Sequence, residues 1–222
     1  MKKRTVVIGA LMSLLPLLVT GGASVLMSAS LMLSAPETAQ AESAAFYFNR
    51  ANEKYNSGDY YGAILDYNKA IEINPMDAHA YNNRGNTKAA LEDDYGAIAD
   101  FNKAIEINPR LAQPYNNRGS LKRKLGDYSG AISDFNKAIE INPRYAHAYY
   151  NRGNAKMKLK DYYGAISDYN KAIEINPKLA EGYGNRGISK ERIGDMKGAC
   201  ADWRKSASLG RETAANWVKN QC

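Results

Sequence analysis

Few residues in this chain are of a type that could do chemistry. There are two histidines, His79 and His147, and two cysteines, Cys200 and Cys222; in addition, an arginine followed sixteen residues later by an aspartate recurs five times. The histidines could ligate a metal or carry a proton. They stand 68 residues apart, however, at the same phase of a 34-residue period, with no Cys or carboxylate beside them at ligand spacing. No phosphate-binding GxxxxGK[ST] loop, no GxGxxG after a strand and no strand pattern is found. The chain therefore reads as non-catalytic, with no cofactor and no metal.

The cysteines point to a different chemistry. Cys200 lies ten residues before Gly210 and Cys222 twelve after it, so two helices folding back at that glycine bring the thiols to similar height. In an exported protein that is a disulfide candidate. The alternative is two free thiols, with Cys200 filling a core position held by Ile64, Ile98, Ile132 and Ile166 in the preceding repeats.

The elements that position these residues are written at a fixed period. YNKAIEINP at 67–75 returns as FNKAIEINP from 101, FNKAIEINP from 135 and YNKAIEINP from 169, so Pro75, Pro109, Pro143 and Pro177 stand 34 residues apart. Five units follow: 44–77, 78–111, 112–145, 146–179 and a degenerate 180–213. In the third unit Tyr128, Ala131, Ile132, Phe135, Ala138 and Ile139 fall on one helical face, which Asn142-Pro143 stops. Upstream, residues 112–125 form a first helix with Tyr115, Gly119 and Leu125 on one side, and Gly126-Asp127 is the turn. Each unit is thus a hairpin of helix A and helix B. A small residue of helix A (Ala51, Gly85, Gly119, Gly153, Gly187) and an Ala of helix B recur in every unit and allow close approach. Each hairpin leaves an apolar face for its neighbour. The last segment, ETAANWVKN within 212–222, reads as a capping helix with Trp217 on its apolar face.

Tyr at the fourth position of the unit, Gly at the eighth, the Gly-Asp-Tyr turn, and then Ala, Tyr or Phe, Ala and Pro at 20, 24, 27 and 32 resemble the tetratricopeptide repeat (TPR) family, in its bacterial form. Ala51 replaces the glycine in the first unit, Asp94 replaces the turn tyrosine in the second, and the fifth has no Pro. The resemblance implies an all-α, right-handed solenoid whose A helices line a concave groove that binds peptides or helices of other proteins. It also implies groove positions. The fifth is Phe48, Asn82, Asn116 and Tyr150; the ninth includes Asn52, Asn86 and Asn154; the second includes His79 and His147. The sixth is always Asn (Asn49, Asn83, Asn117, Asn151, Asn185), which either grips the backbone of a bound peptide or serves the scaffold. Family members that clamp a C-terminal carboxylate use Lys at the fifth position, which this chain lacks. Phe48, Tyr55 and Tyr150 would be apolar anchors, and Arg123, Lys124, Lys158 and Arg192 favour an acidic partner.

Residues present in every unit most simply serve stacking. On that ground the arginines of NRG (Arg50, Arg84, Arg118, Arg152, Arg186) are expected to pair with Asp66, Asp100, Asp134, Asp168 and Asp202 across each hairpin. The lysine four residues after each arginine is expected to solvate the outer surface.

The first 41 residues are of another kind. MKKR, an uncharged apolar run and Ala39-Gln40-Ala41 make an export signal, either cleaved after Ala41 or retained as a membrane anchor over 5–33. Both place the repeats outside the cytoplasm, in the periplasm or on the membrane surface. The formal charge is +7, of which residues 42–222 hold +5 from 27 bases and 22 acids without a basic stripe, so nucleic acid is not an expected partner. The sequence thus describes a scaffold for another protein, with a self-assembling solenoid as the alternative.

Overall fold

A computed structural model describes residues 43–222. The export or anchor segment read over 1–41 lies outside the described residues. Among those described, eleven helices follow one another and no strand occurs. They are α1 (Ala44–Asn56), α2 (Tyr60–Ile73), α3 (Ala78–Ala90), α4 (Asp94–Ile107), α5 (Ala112–Lys124), α6 (Tyr128–Ile141), α7 (Ala146–Lys158), α8 (Tyr162–Ile175), α9 (Ala180–Arg192), α10 (Met196–Ser208) and α11 (Glu212–Gln221). Odd-numbered helices to α9 are A helices and even-numbered ones are B helices. Among the described residues no helix is long and apolar enough to cross a membrane.

The boundaries have local causes. Each B helix is capped by an aspartate (Asp59, Asp93, Asp127, Asp161, Asp195) whose carboxylate accepts from the glycine N–H three residues on, at 2.8–3.0 Å. The residue before that cap sits at positive φ. Gly58, Gly126 and Gly194 do so freely, whereas Glu92 (φ 63) and Lys160 (φ 62) take the same conformation with a side chain. At the other end Asn74, Asn108, Asn142 and Asn176 leave the helix as the following proline requires, and their side chains accept from the N–H two residues on.

Between A and B the fit is tight. Ala63, Ala97, Ala131, Ala165 and Ala199 are wholly buried, as are the aromatics Tyr67, Phe101, Phe135, Tyr169 and Trp203. A Cβ at Gly119 would lie 2.9 Å from Phe135 Cε1, so the glycine makes room for the ring. Beyond the hairpin, each B helix packs on the next A helix. Consecutive A helices also touch, and consecutive B helices are in no comparable contact. The stack therefore curves toward its A side, and the A helices form the inner face.

The C-terminal end is closed by α11. Its Ala214 is buried, and Trp217 and Val218 pack on Cys200 and Trp203, the indoles 5.6 Å apart. A disulfide joins Cys200 to Cys222. Arg211 holds the place that proline holds in the other units. Its Nη1 fills the space left by Gly184, donates to Asn185 Oδ1 at 3.3 Å, and its guanidinium stacks on Trp217 at 5.2 Å.

Candidate functional site: the A-helix face

Two ladders of polar side chains run along the array, and each has to be separated from what a ligand could touch. The first is ionic. In every unit the NRG arginine forks the aspartate of helix B, with Nη2 to Oδ1 at 2.5–2.6 Å and Nε to Oδ2 at 2.7–2.9 Å. From the second unit on, Nη1 also donates to an Asn of the preceding B helix (Asn68, Asn102, Asn136, Asn170) at 2.6–2.7 Å. One arginine therefore ties three helices together.

The lysines placed by sequence on the outer surface are not there. Lys54, Lys88, Lys122, Lys156 and Lys190 each reach the same aspartate at 2.8–3.0 Å. A spacing of four puts arginine and lysine on one helix face, so both converge on a buried carboxylate that one cation leaves half satisfied. The Arg50 guanidinium holds the Asp66 carboxyl below the usual carboxylate range, against the effect of burial and with help from Lys54.

The second ladder is of amides, and it decides what the sixth-position asparagines do. Asn83 donates to Asn52, Asn117 to Asn82 and Asn86, Asn151 to Asn116 and Ser120, and Asn185 to Tyr150 and Asn154, at 2.8–3.3 Å. Each bond crosses from one A helix to the A helix before it. Asn49 has no preceding unit and is exposed. Asn82 and Asn116, read from sequence as ligand contacts, are buried at 6% and 7% exposure and serve as rungs. Arg211 ends the ladder as a pure donor.

The remaining candidates divide by environment. Phe48 packs on Tyr67 with ring centroids at 6.0 Å, and Tyr150 on Tyr169 at 5.9 Å, so both are partly covered from below. The Tyr67 hydroxyl donates to Asn52 and that of Tyr169 to Asn154. Burial pushes Tyr67 up to about 12 and raises Tyr169 as well. His79 and His147 are exposed and lie two units apart. Lys158 and Arg192 are exposed at the ends of α7 and α9, while Lys124 pairs with Asp94 at 2.8 Å. That pair accounts for the aspartate where three of the other units carry a turn tyrosine.

Two clefts open on the A face. The first, of about 420 Å³, lies between Asn52, Tyr55, Asn56, Tyr67, Asn83 and Asn86. The second, of about 550 Å³, shares Tyr55 and Asn86 with the first, so the two make one trough. Its apolar lining is Ala89, Ala90, Phe101 and Leu121, and its polar wall is Asn117, Ser120, Arg123 and Lys124. Sequence reading singled out the wall of the second cleft but not its lining. The signal that could have found it is subtractive: two alanines where sibling units carry large residues.

Tetratricopeptide repeat models match residues 78–111 and 146–179, the second and fourth units, and TPR repeat models match 51–92 and 119–160. The chain belongs to the tetratricopeptide repeat family. No curated protein matches this TPR chain. Among solved structures it resembles MamA (24% identity, TM-score 0.65, covering 81% of this chain and 96% of that one). It also resembles YrrB, described as a TPR protein with an unusual peptide-binding site (23%, 0.64, 80% and 92%). A third is PilW, described as a widely conserved type IV pilus biogenesis factor (22%, 0.69, 75% and 77%). At these identities the likeness establishes the shared TPR solenoid.

Proposed function

We propose that this protein is a non-catalytic scaffold that holds an extended or helical segment of another protein along its A-helix face, on the outer side of the cytoplasmic membrane. The observation that carries the reading is the trough of two adjoining clefts that Tyr55 and Asn86 border in common. It is concave, apolar in its floor and lined with amide and cationic groups, the composition that lets a peptide bury side chains while its backbone stays hydrogen-bonded. The TPR architecture supports it, as do the likeness to YrrB, described with a peptide-binding site, and to PilW, described as a pilus biogenesis factor. Extracytoplasmic placement rests on MKKR and the apolar run after it.

The test is photo-crosslinking in cells of the full chain, with benzoylphenylalanine in place of Asn56, exposed on the trough, or of Tyr95, exposed on helix B. A partner adduct from position 56 and none from position 95 is expected. Adducts from 95 alone would move binding off the A face and end the proposal.

A further inference from the structure

The trough is not uniform, because one unit departs from its siblings where helix A ends. At those two positions four units carry large side chains: Tyr55-Asn56, Arg123-Lys124, Met157-Lys158 and Glu191-Arg192. The second unit carries Ala89-Ala90. Beneath them lies Phe101, where the first and fourth units have a tyrosine whose hydroxyl engages an asparagine. The two alanines, peculiar to this unit, and the absence of a hydroxyl on Phe101, shared with Phe135 of the third unit, remove atoms from the same place. What they leave is the second cleft, with Ala89, Ala90, Phe101 and Leu121 around an apolar void.

Its wall carries an unsatisfied cation. Arg123 Nε is buried and without a hydrogen-bond partner, the only side-chain polar atom in that condition among the described residues. A buried donor left unpaired is costly, so a turn of the Arg123 side chain that brings its guanidinium against a ligand's acceptor relieves that cost as the bond forms. The neighbouring Lys124 is already matched by Asp94, which leaves Arg123 as the open charge of this wall. Guanidinium geometry suits a carboxylate better than a single carbonyl, since two parallel bonds can form.

We infer that this cleft receives a large apolar side chain of an extended partner segment, with an adjacent Asp or Glu side chain accepted by Arg123. The inference rests on the A face being the binding surface. The occupant is a segment of polypeptide because Tyr55 and Asn86 border both clefts, so a chain seated in one runs on against the other along the A face. It carries a side-chain acid because the wall supplies a cation but none of the Lys that clamps a terminal carboxylate at the fifth position.

The experiment selects nonapeptides from a random library fused by their C-termini to a phage coat protein, so that every carboxylate presented is a side chain. The bait is the full-length protein in detergent. The best peptide is then made with an amidated C-terminus and titrated by fluorescence anisotropy. Ala89→Tyr and Arg123→Met are the variants, each borrowing the residue that Tyr55 or Met157 supplies at the same register, and circular dichroism confirms that both fold. Selected peptides should share an apolar residue beside an acid, and each variant should weaken binding about tenfold or more. Changing that acid to its amide should cost the parent about tenfold and Arg123→Met less than about twofold. Peptides that bind equally to parent and both variants, while an Asn56→Trp block abolishes binding, would overturn this inference and leave the trough as the binding surface. Loss with Ala89→Tyr alone, and indifference to the amide change, would overturn the carboxylate assignment. Absence of any selected peptide, together with no adduct from position 56, would remove the binding surface itself.

Discussion

Reducing the Cys200–Cys222 bond should release the cap without unfolding the array. The bond closes a loop with a sequence separation of 22, for which chain entropy gives about 3.4 kcal/mol of stabilisation. At 1.36 kcal/mol per tenfold this is about 300-fold in the opening equilibrium of α11. The rest of what holds α11 is modest: Ala214, Trp217 and Val218 on the end of α10, and Arg211 on Trp217. A helix of ten residues gains little stability from its own hydrogen bonds. Both tryptophans of the chain lie here, so intrinsic fluorescence reports the cap while circular dichroism reports the whole array. In urea the two signals should coincide for oxidised protein. With reductant, or in Cys222→Ser, the fluorescence transition should move to lower urea and separate from the dichroism. Amide exchange over 212–221 should accelerate toward that 300-fold limit, with α1 to α6 unchanged. If exchange in α11 rises less than about threefold on reduction, packing alone holds the cap and the entropic argument fails.

Other parts of the structure carry consequences of similar size. Asp134→Ala should destabilise by about 2–3 kcal/mol, at or below the low end of the roughly 3–5 kcal/mol for breaking a buried pair, because Arg118 keeps Asn102 and both cations are partly solvated. A fall in Tm of roughly 4–10 °C is expected, and a shift below about 1 °C would show the ladder to be ornamental. Tyr67 is raised in the folded state to about 12 from an ordinary value near 10, so its contribution is complete below about pH 10 and is lost as pH rises toward 12. Urea titrations at pH 9 and 11.5 should show a loss that is smaller in Tyr67→Phe, a residue the second and third units carry at that register; equal losses would contradict the assignment. Lys160→Gly should stabilise by about 1 kcal/mol by relieving a left-handed residue that three sibling units make glycine, and a decrease in Tm would refute the strain.

What could be read from the sequence was whatever a single repeat contains. The period, the aspartate cap, the Asn-Pro stop and the Arg–Asp pair all lie within one hairpin, so their spacing translates directly into contact. Arg118 and Asp134 face each other because α5 and α6 run antiparallel about a fixed turn. The lysine at 122 was misplaced although its spacing from Arg118 already put both on one face; what sequence could not show was that Asp134 is buried deeply enough to hold two cations. The asparagine ladder was beyond reach for another reason. Asn117 meets Asn82 and Asn86 only through the superposition of two units, and nothing in the period states which faces come to lie across the junction. The second cleft is defined by missing atoms at Ala89, Ala90 and Phe101, which a search for functional groups passes over.

The same registers bear on whether copies of the chain would join end to end. At the tenth position of units two to five stand Thr87, Leu121, Ala155 and Ser189, all buried against the preceding unit. The first unit has Glu53 there, exposed, with Asn49 exposed one turn before it and Phe46 where the others have small residues. A further unit stacked on α1 would have to bury the Glu53 carboxylate at a position where the other units place only apolar or hydroxyl side chains, at a cost on the order of several kcal/mol. At the opposite end, α11 covers Trp203 and Arg211 occupies the donor place of the next rung, so no carbonyl waits for another asparagine. Both ends therefore oppose continuation of the stack. Association through the stacking surfaces is disfavoured at each of them, and the surfaces left for recognition are the sides of the array. Among the described residues the A face alone combines the trough with an unsatisfied buried donor, so it is the side of the array best furnished to hold a partner.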